Sequence, residues 1–256
     1  MTDTIAIGFY SHASTVPTPS DLMRAYEALE QMIRDLGMEP SWFSADDSTG
    51  RGQWKKIGGA AHKKFLQSGG ESYENVGLCV APVEGKVPGY DRAIEANFLF
   101  SPVSGDVMVK VAIQEPALVL GRSVEVVIAE LASLWRWDYG FGLQRDSNRM
   151  PLTYLGAGIS RTETAEERRR IEKWYATYQP EVRRVRVRDI FPYNIIGDGH
   201  LKQTLRDDRS LRMFIEADPD SSLQPLANDL WLWTVTSSRT EAVRERLLDS
   251  GVVVSE

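Results

Sequence analysis

The chain has 256 residues, of which 42% are hydrophobic and 26% charged, a composition typical of a globular protein. Its formal net charge of -6 argues against a general affinity for nucleic acid, which needs clustered Lys and Arg, and favours a basic or neutral partner. The single cysteine, Cys79, excludes an intramolecular disulfide and fits a reducing cytoplasm.

The start of the chain and its hydropathy predict a soluble protein of the cytoplasm. The first residues, MTDTIAIGFYSHAS, lack the positively charged region of a secretory signal and contain only a short apolar run. No apolar run approaches the roughly 20 residues that a helix needs to cross a bilayer. We therefore expect neither secretion nor membrane binding.

The N-terminal half alternates between apolar runs typical of strands and stretches with helical periodicity. Thr18 before Pro19 is a strong helix start, because Thr caps helices and Pro fits the first turn, and Gly37 supplies a stop. In chain order, the predicted elements are a strand at 5–10, a helix at 19–36, a strand at 41–45, a basic helix at 54–66, and strands at 76–83, 94–100 and 107–113.

The C-terminal half begins with a wide apolar stripe, which is typical of a helix that faces a core. Two capping boxes, at 164–167 and 238–241, predict further helix starts. Arginines alternate with valines at 182–188, which predicts a half-exposed strand or an extended approach to one. Its arginines would share one face, and a solvated face is favoured over a binding face. In chain order, the predicted elements are a helix at 122–135, strands at 139–144 and 152–159, a helix at 165–178, the strand at 182–187, a helix at 198–205, strands at 211–217 and 230–236, a helix at 239–250 and a last strand at 252–254.

This order of elements predicts a single α+β domain over residues 1–256. Strand pairs interleave with helices, which favours a mixed or antiparallel sheet packed by amphipathic helices. There is no repeat at a solenoid period and no linker rich in Pro, Gly or Ser. An arrangement of two similar lobes with a boundary near residue 120 is the alternative.

The stretch WRWDYGFGLQ at 135–144 is rich in aromatic residues. Trp137, Tyr139 and Phe141 alternate, so they are expected on one face of a strand, with Gly140 and Gly142 on the other. Glycines on that face would let another backbone approach closely. We predict that the aromatic row covers a core, since an exposed row would instead be a partner surface.

The sequence contains no motif that names a catalytic chemistry. The three histidines are isolated, and neither they nor Cys79 have the spacing of a zinc site. The chain has no G-x-S-x-G elbow, no phosphate-binding P-loop and no dinucleotide fingerprint. We therefore predict no catalytic, cofactor-binding or metal-binding residue.

Several segments of the second half together carry a resemblance to a known group of proteins. They are Tyr139-Gly140-Phe141, the Pro-led run from Pro151 to Gly158, Arg188-Asp189-Ile190-Phe191-Pro192 with Asn194, a late Trp-containing strand and a C-terminal helix that ends in Gly. Over residues 121–251, this order resembles α+β proteins encoded beside bacterial polymorphic toxins, of the immunity type associated with type VI secretion. The resemblance implies a monomer or homodimer without enzymatic activity or cofactor, which binds one cognate toxin in the cytoplasm and blocks it.

On this hypothesis, acidic side chains are the candidate contacts with a basic toxin such as a nuclease, because opposite charge speeds association and adds selectivity. The acids expected to be exposed are Asp46, Asp47, Asp207, Asp208, Asp218 and Asp220.

Two other functions are compatible with the sequence. One is a metal-dependent hydrolase or nuclease, in which dispersed acids act together with His200. The other is a structural subunit of a phage-type assembly, which self-associates through strand edges and aromatic rows. The enzyme predicts bound metal, the subunit predicts a large homo-oligomer, and the immunity protein predicts a tight complex with the product of a neighbouring gene.

Overall fold

A ten-stranded sheet connects both halves of the chain. The computed structural model describes residues 3–12, 16–46, 53–81, 92–101, 104–115, 122–176 and 179–254. Every pair of neighbouring strands in the sheet is antiparallel, so the predicted α+β class is confirmed. The alternative boundary near residue 120 lies outside the described residues. No helix in these ranges is long and apolar enough to cross a membrane.

The central strand of the sheet is the first in the chain. The strands are β1 (Asp3–His12), β2 (Trp42–Asp46), β3 (Lys55–Lys56), β4 (Asn75–Val80), β5 (Ile94–Ser101), β6 (Asp106–Gln114), β7 (Tyr139–Asp146), β8 (Tyr193–Gly197), β9 (Ser221–Pro225) and β10 (Leu230–Val235). The helices are α1 (Pro19–Asp35), α2 (Ala60–Ser68), α3 (Val124–Leu134), α4 (Pro151–Leu155), α5 (Ala165–Ala176), α6 (Pro180–Arg183), α7 (Asp198–Leu201), α8 (Leu211–Glu216) and α9 (Thr240–Leu248). The strand order is β3-β2-β4-β5-β6-β1-β7-β8-β10-β9, so β1 pairs with β6 and β7.

One core lies between the sheet and helices α1 and α3. Phe9 of β1, Leu29 of α1 and Ile128 of α3 belong to this cluster and are fully buried. The start of α1 is fixed by the predicted cap, because the Thr18 hydroxyl accepts a hydrogen bond from the Asp21 amide at 3.2 Å and the Asp21 carboxylate accepts one from the Thr18 amide at 2.9 Å. Local capping and an apolar face therefore place α1 on the sheet.

A second core is formed by the residues of β1 that alternate with those in the first core, together with residues of the C-terminal helices. Tyr10 joins Tyr139 and Phe141 of β7 in this cluster. The ring of Phe141 stacks on that of Phe191 with centroids 4.2 Å apart. Since successive residues of a strand point to opposite sides, β1 contributes to both cores and must be apolar along most of its length.

The predicted aromatic row is buried, but it does not lie on one face. Trp137, Tyr139 and Phe141 are 3%, 0% and 0% exposed, which confirms core packing. Trp137 precedes β7 and packs in the first core, where its indole donates a hydrogen bond to the Leu131 carbonyl at 2.8 Å. The prediction of one shared face was wrong because the strand begins only at Tyr139.

Three of the predicted elements differ in kind or extent for local reasons. Residues 152–159 and 211–217, predicted as strands, are the sites of helices α4 and α8. Pro151 begins α4, and the Ser210 hydroxyl caps α8 by accepting a hydrogen bond from the Met213 amide at 3.2 Å. The basic helix predicted at 54–66 begins only at Ala60, after Gly58, whose φ is 78°.

The arginine-rich run at 182–188 does not form the predicted strand. Its start belongs to α6, and Arg183 and Arg188 are each only 1% exposed, so the prediction of a solvated arginine face was wrong for both. The Arg188 guanidinium donates a hydrogen bond to the Tyr154 carbonyl at 3.0 Å and lies over the Tyr154 ring. Aromatic faces and a carbonyl oxygen thus accommodate this buried cation.

Candidate functional site: a polar cleft at one end of the sheet

A cleft of about 610 Å³ opens at the end of the sheet where β1 and β8 finish and β7 and β10 begin. Because neighbouring strands are antiparallel, these ends meet at the same edge, although they lie far apart in sequence. The segments that line the cleft are Ser11 and His12, Trp135 to Asp138, Arg184 and Val185, Gly197 to Gly199, and Asn228 to Leu230.

Asp138 is the polar centre of the cleft. Its carboxylate accepts hydrogen bonds from the backbone amide of His12 at 3.0 Å and from Nε of Arg184 at 2.9 Å. Its own amide donates to the Tyr10 carbonyl at 2.9 Å, which extends the β1–β7 ladder by one residue. Asp138 is therefore a fixed anion whose charge is neutralised by Arg184.

A buried ion pair lies beside this centre. Arg183 Nη1 and Asp106 Oδ1 are 3.0 Å apart, with both side chains almost fully buried. Burial lowers the pKa of Arg183, and the charge of Asp106 opposes that effect. The His12 ring is half-exposed, with Nδ1 3.9 Å from the same Asp106 oxygen. The charges of Arg183 and Asp106 lie beside the cleft and are already paired, so they do not need a ligand.

His200 lies behind the cleft and is fully buried. Its Nδ1 accepts a hydrogen bond from the Gly197 amide at 3.1 Å, and its ring stacks on Tyr139 in the second core. Burial lowers its pKa to about 4, so the ring is neutral at physiological pH. His200 does not line the cleft and its ring is fully buried, so this position does not fit the role that the hydrolase hypothesis gives it.

The same burial makes the stability of the fold depend on His200 at acidic pH. The folded-state pKa of about 4 lies below the ordinary value of 6.5, so the unfolded chain takes up the proton first as pH falls. Stability that is fully present above pH 6.5 is therefore lost between pH 6.5 and 4, by about 3 kcal/mol.

We expect His200→Asn to lose this part of the pH dependence, since Asn keeps a hydrogen-bond acceptor and does not titrate. The measurement is the free energy of unfolding of both proteins in urea at pH 7, 5.5 and 4. The difference in free energy of unfolding between the native protein and the variant should become smaller as pH falls. Parallel curves would show that His200 does not titrate with unfolding.

The turn between β9 and β10 forms the rim of the cleft. Asn228 and Asp229 both have a φ of 59°, and the Leu230 amide donates to the Ala227 carbonyl at 3.3 Å, which defines a tight hairpin turn. The Asn228 side-chain amide donates to the carbonyls of Ala132 and Trp135, at 3.0 and 3.1 Å. These bonds fix the hairpin on the end of α3 and leave Asp229 exposed at the rim.

Next to the rim, Trp135 and Arg136 separate the cleft from a second hollow of about 570 Å³. Trp135 is half-buried, and Arg136 is exposed. In the ranges that the structure describes, Arg136 takes part in no ion pair. Trp and Arg are the side chains most enriched among the energetically dominant residues of protein interfaces.

The predicted contact acids lie elsewhere. Asp46 ends β2, towards the opposite edge of the sheet from the cleft, and Asp47 lies outside the described residues. Asp207 pairs with Arg209 in an exposed loop, where Asp208 adopts a φ of 61°. None of the described candidates lines the cleft.

Asp218 and Asp220 are neighbours in one turn, but Asp218 is not exposed. Its relative exposure is 6%, because its carboxylate accepts hydrogen bonds from the Asp220 amide and the Ser221 hydroxyl, each at 3.2 Å. The prediction that Asp218 is an exposed contact was wrong for this reason. Asp220 pairs with Arg239 at 2.8 Å.

The residues of the cleft had only weak signals in the sequence. The pair Asn228-Asp229 before an apolar run is typical of a hairpin turn, and Asp138 stands at the start of the aromatic strand. Nothing local in the sequence relates either of them to Ser11 or Arg184. In the described part of the chain, no three His, Cys, Asp or Glu side chains form a group that could hold a metal ion.

Comparison with known proteins shows a likeness in fold to a solved structure. A scan against protein-family models finds no match, and neither does a search of curated proteins. Among solved structures, the chain is similar to "Pseudomonas aeruginosa T6SS protein PA0821", with a TM-score of 0.61 over 98% of this chain and 77% of that chain. At 8% sequence identity, the likeness shows a common fold, and function has to be argued separately.

Proposed function

We propose that this chain is a cytoplasmic immunity protein of the kind associated with type VI secretion, which binds one cognate toxin and blocks it. The observation that carries the proposal is the likeness in fold, over 98% of the chain, to a protein described as a T6SS protein. The likeness extends beyond the second-half segments on which the sequence resemblance rests.

The cleft supports a binding function better than a catalytic one. Asp138 in the cleft pairs with Arg184, and Asp106 beside the cleft pairs with Arg183. The histidine behind it is buried, and burial lowers its pKa to about 4, so it is neither accessible to a substrate nor basic enough to act as a general base. The two adjoining hollows, of about 610 and 570 Å³, offer a longer concave surface than one small molecule needs. A protein would fill such a surface.

The overall charge is consistent with a protein partner. A chain with a formal charge of -6 attracts a basic toxin over distances of the order of a Debye length, about 8 Å at physiological salt. An immunity protein must capture its toxin quickly, and electrostatic steering raises the association rate. On this proposal the chain acts by occlusion, as a monomer or homodimer, without chemistry of its own.

The proposal is tested by co-expression with the product of the gene immediately upstream. We expect a stoichiometric complex on purification, and restored growth when the neighbour alone is toxic. The matched control is the same chain expressed with an unrelated toxin of the same activity, against which it should give no protection. A neighbour that is harmless and forms no complex would contradict the proposal.

A further inference from the structure

Asp229 presents an uncommitted carboxylate at the rim of the cleft. It is exposed, and within the described ranges it has neither an ion-pair partner nor a side-chain hydrogen bond. The adjacent Asp198 also faces the cleft, where the Trp231 indole donates to it at 3.1 Å and Lys202 lies 3.6 Å away. The Asp138 charge is already neutralised by Arg184, so Asp229 is the acid that remains for an incoming cation.

A second observation, independent of charge, also indicates a ligand. Ser11 lines the cleft at the end of β1 and is 3% exposed. Its hydroxyl has no hydrogen-bond partner among the described residues. A buried hydroxyl that lacks a partner is costly, and a polar group that entered the cleft would supply one.

The shape of the region indicates a polypeptide segment. The cleft and the second hollow meet at Trp135, Arg136 and Asn228, which line both. A segment that crosses this boundary would pack on the Trp135 ring and offer carbonyl oxygens to the Arg136 guanidinium, which has no ion-pair partner among the described residues. Its basic side chain would then reach Asp229 on the rim.

We propose that the cleft receives a projecting basic segment of the toxin, in which a lysine or arginine pairs with Asp229 and a backbone carbonyl accepts a hydrogen bond from Ser11. This inference rests on the proposed function, because it names the surface through which the toxin is bound. The ion pair lies at a solvent-exposed rim, so it is expected to act mainly on the rate of association.

The test is the affinity of the purified toxin for the Asp229→Asn variant. Surface plasmon resonance gives this affinity together with the association and dissociation rate constants. Asn removes the charge, keeps the size of the side chain and tolerates a positive φ, so the variant should remain folded. We expect the dissociation constant to rise about fivefold, through slower association and a weaker dependence on salt.

Glu245→Gln is the matched control. Glu245 is also exposed and has no ion pair in the described part of the chain, but it lies outside the cleft and is not one of the predicted toxin contacts. We expect its affinity to stay within about twofold of that of the native protein. Thermal melting of both variants checks that each is folded.

The possible outcomes separate this inference from the proposed function. If the native chain forms no complex, the proposed function fails at the first step. If the native chain binds and Asp229→Asn binds equally well, the cleft is not the contact surface and the inference is overturned. An equal loss in both variants would also overturn it, because the effect would then arise from total charge.

Discussion

Arg145→Met is expected to destabilise the fold by about 3–5 kcal/mol, because it leaves a buried carboxylate without its cation. The Arg145 guanidinium, on β7, lies 3.3 Å from Glu163 and 2.9 Å from Glu167, and it also donates to the Arg149 carbonyl at 2.9 Å. The side chains of Arg145 and Glu163 are 4% and 0% exposed. Methionine keeps most of the volume, so the loss reports the charge and its hydrogen bonds. The measurement is urea unfolding at pH 7.

The control is the same substitution at an exposed ion pair. Arg206 lies 3.1 Å from Asp249, with side-chain exposures of 72% and 75%. Exposed pairs contribute about 0–1 kcal/mol, so Arg206→Met should change stability by no more than that. Equal effects at the two sites would show that burial does not set the strength of the Arg145 interactions.

A second substitution separates the loss of the pair from the cost of the charge that remains. Glu163→Gln added to Arg145→Met removes the uncompensated anion, so the double variant should be more stable than Arg145→Met alone. A double variant that is less stable would mean that Glu163 has other essential partners. One is visible in the structure, since Glu163 accepts a hydrogen bond from the Ser160 amide at 2.5 Å.

Local features of the fold could be predicted wherever neighbouring residues decide the conformation. The Thr164–Glu167 capping box forms as predicted, with the Glu167 amide donating to the Thr164 hydroxyl at 3.1 Å and the Thr164 amide to the Glu167 carboxylate at 2.8 Å. The box predicted at 238–241 does not form a side-chain cap. Apolar β-branched runs such as β6 gave strands within one residue of their observed ends.

Features that depend on tertiary contact could not be predicted. The run at 211–217 is as apolar as a strand, and its cap at Ser210 makes it a helix. The pattern of arginines at 183–188 does not show which of them are covered by later packing. The cleft combines separate segments, and only the antiparallel order of β1, β7, β8 and β10 brings them together. Single-sequence patterns carry no record of that order.

Gly140→Ala is expected to destabilise the fold by about 3 kcal/mol, because there is no space for a side chain at this position. A Cβ atom on Gly140 would lie 2.8 Å from the Gly8 carbonyl oxygen and 3.3 Å from both the Cβ of Ile195 and a ring carbon of Phe9. Gly8 belongs to the central strand, so its carbonyl can move away only if the β1–β7 ladder shifts.

Gly197→Ala is the control for the Gly140 experiment. Gly140 lies on β7 and Gly197 on the neighbouring strand β8, and neither glycine has a positive φ. The nearest atom to a Cβ on Gly197 is the Asp229 carbonyl oxygen at 3.9 Å, an ordinary contact distance. We expect this variant to stay within about 0.5 kcal/mol of the native protein. Thermal and urea unfolding of both variants give the comparison. If Gly140→Ala is as stable as Gly197→Ala, then the contact between β7 and β1 at Gly140 leaves room for a methyl group.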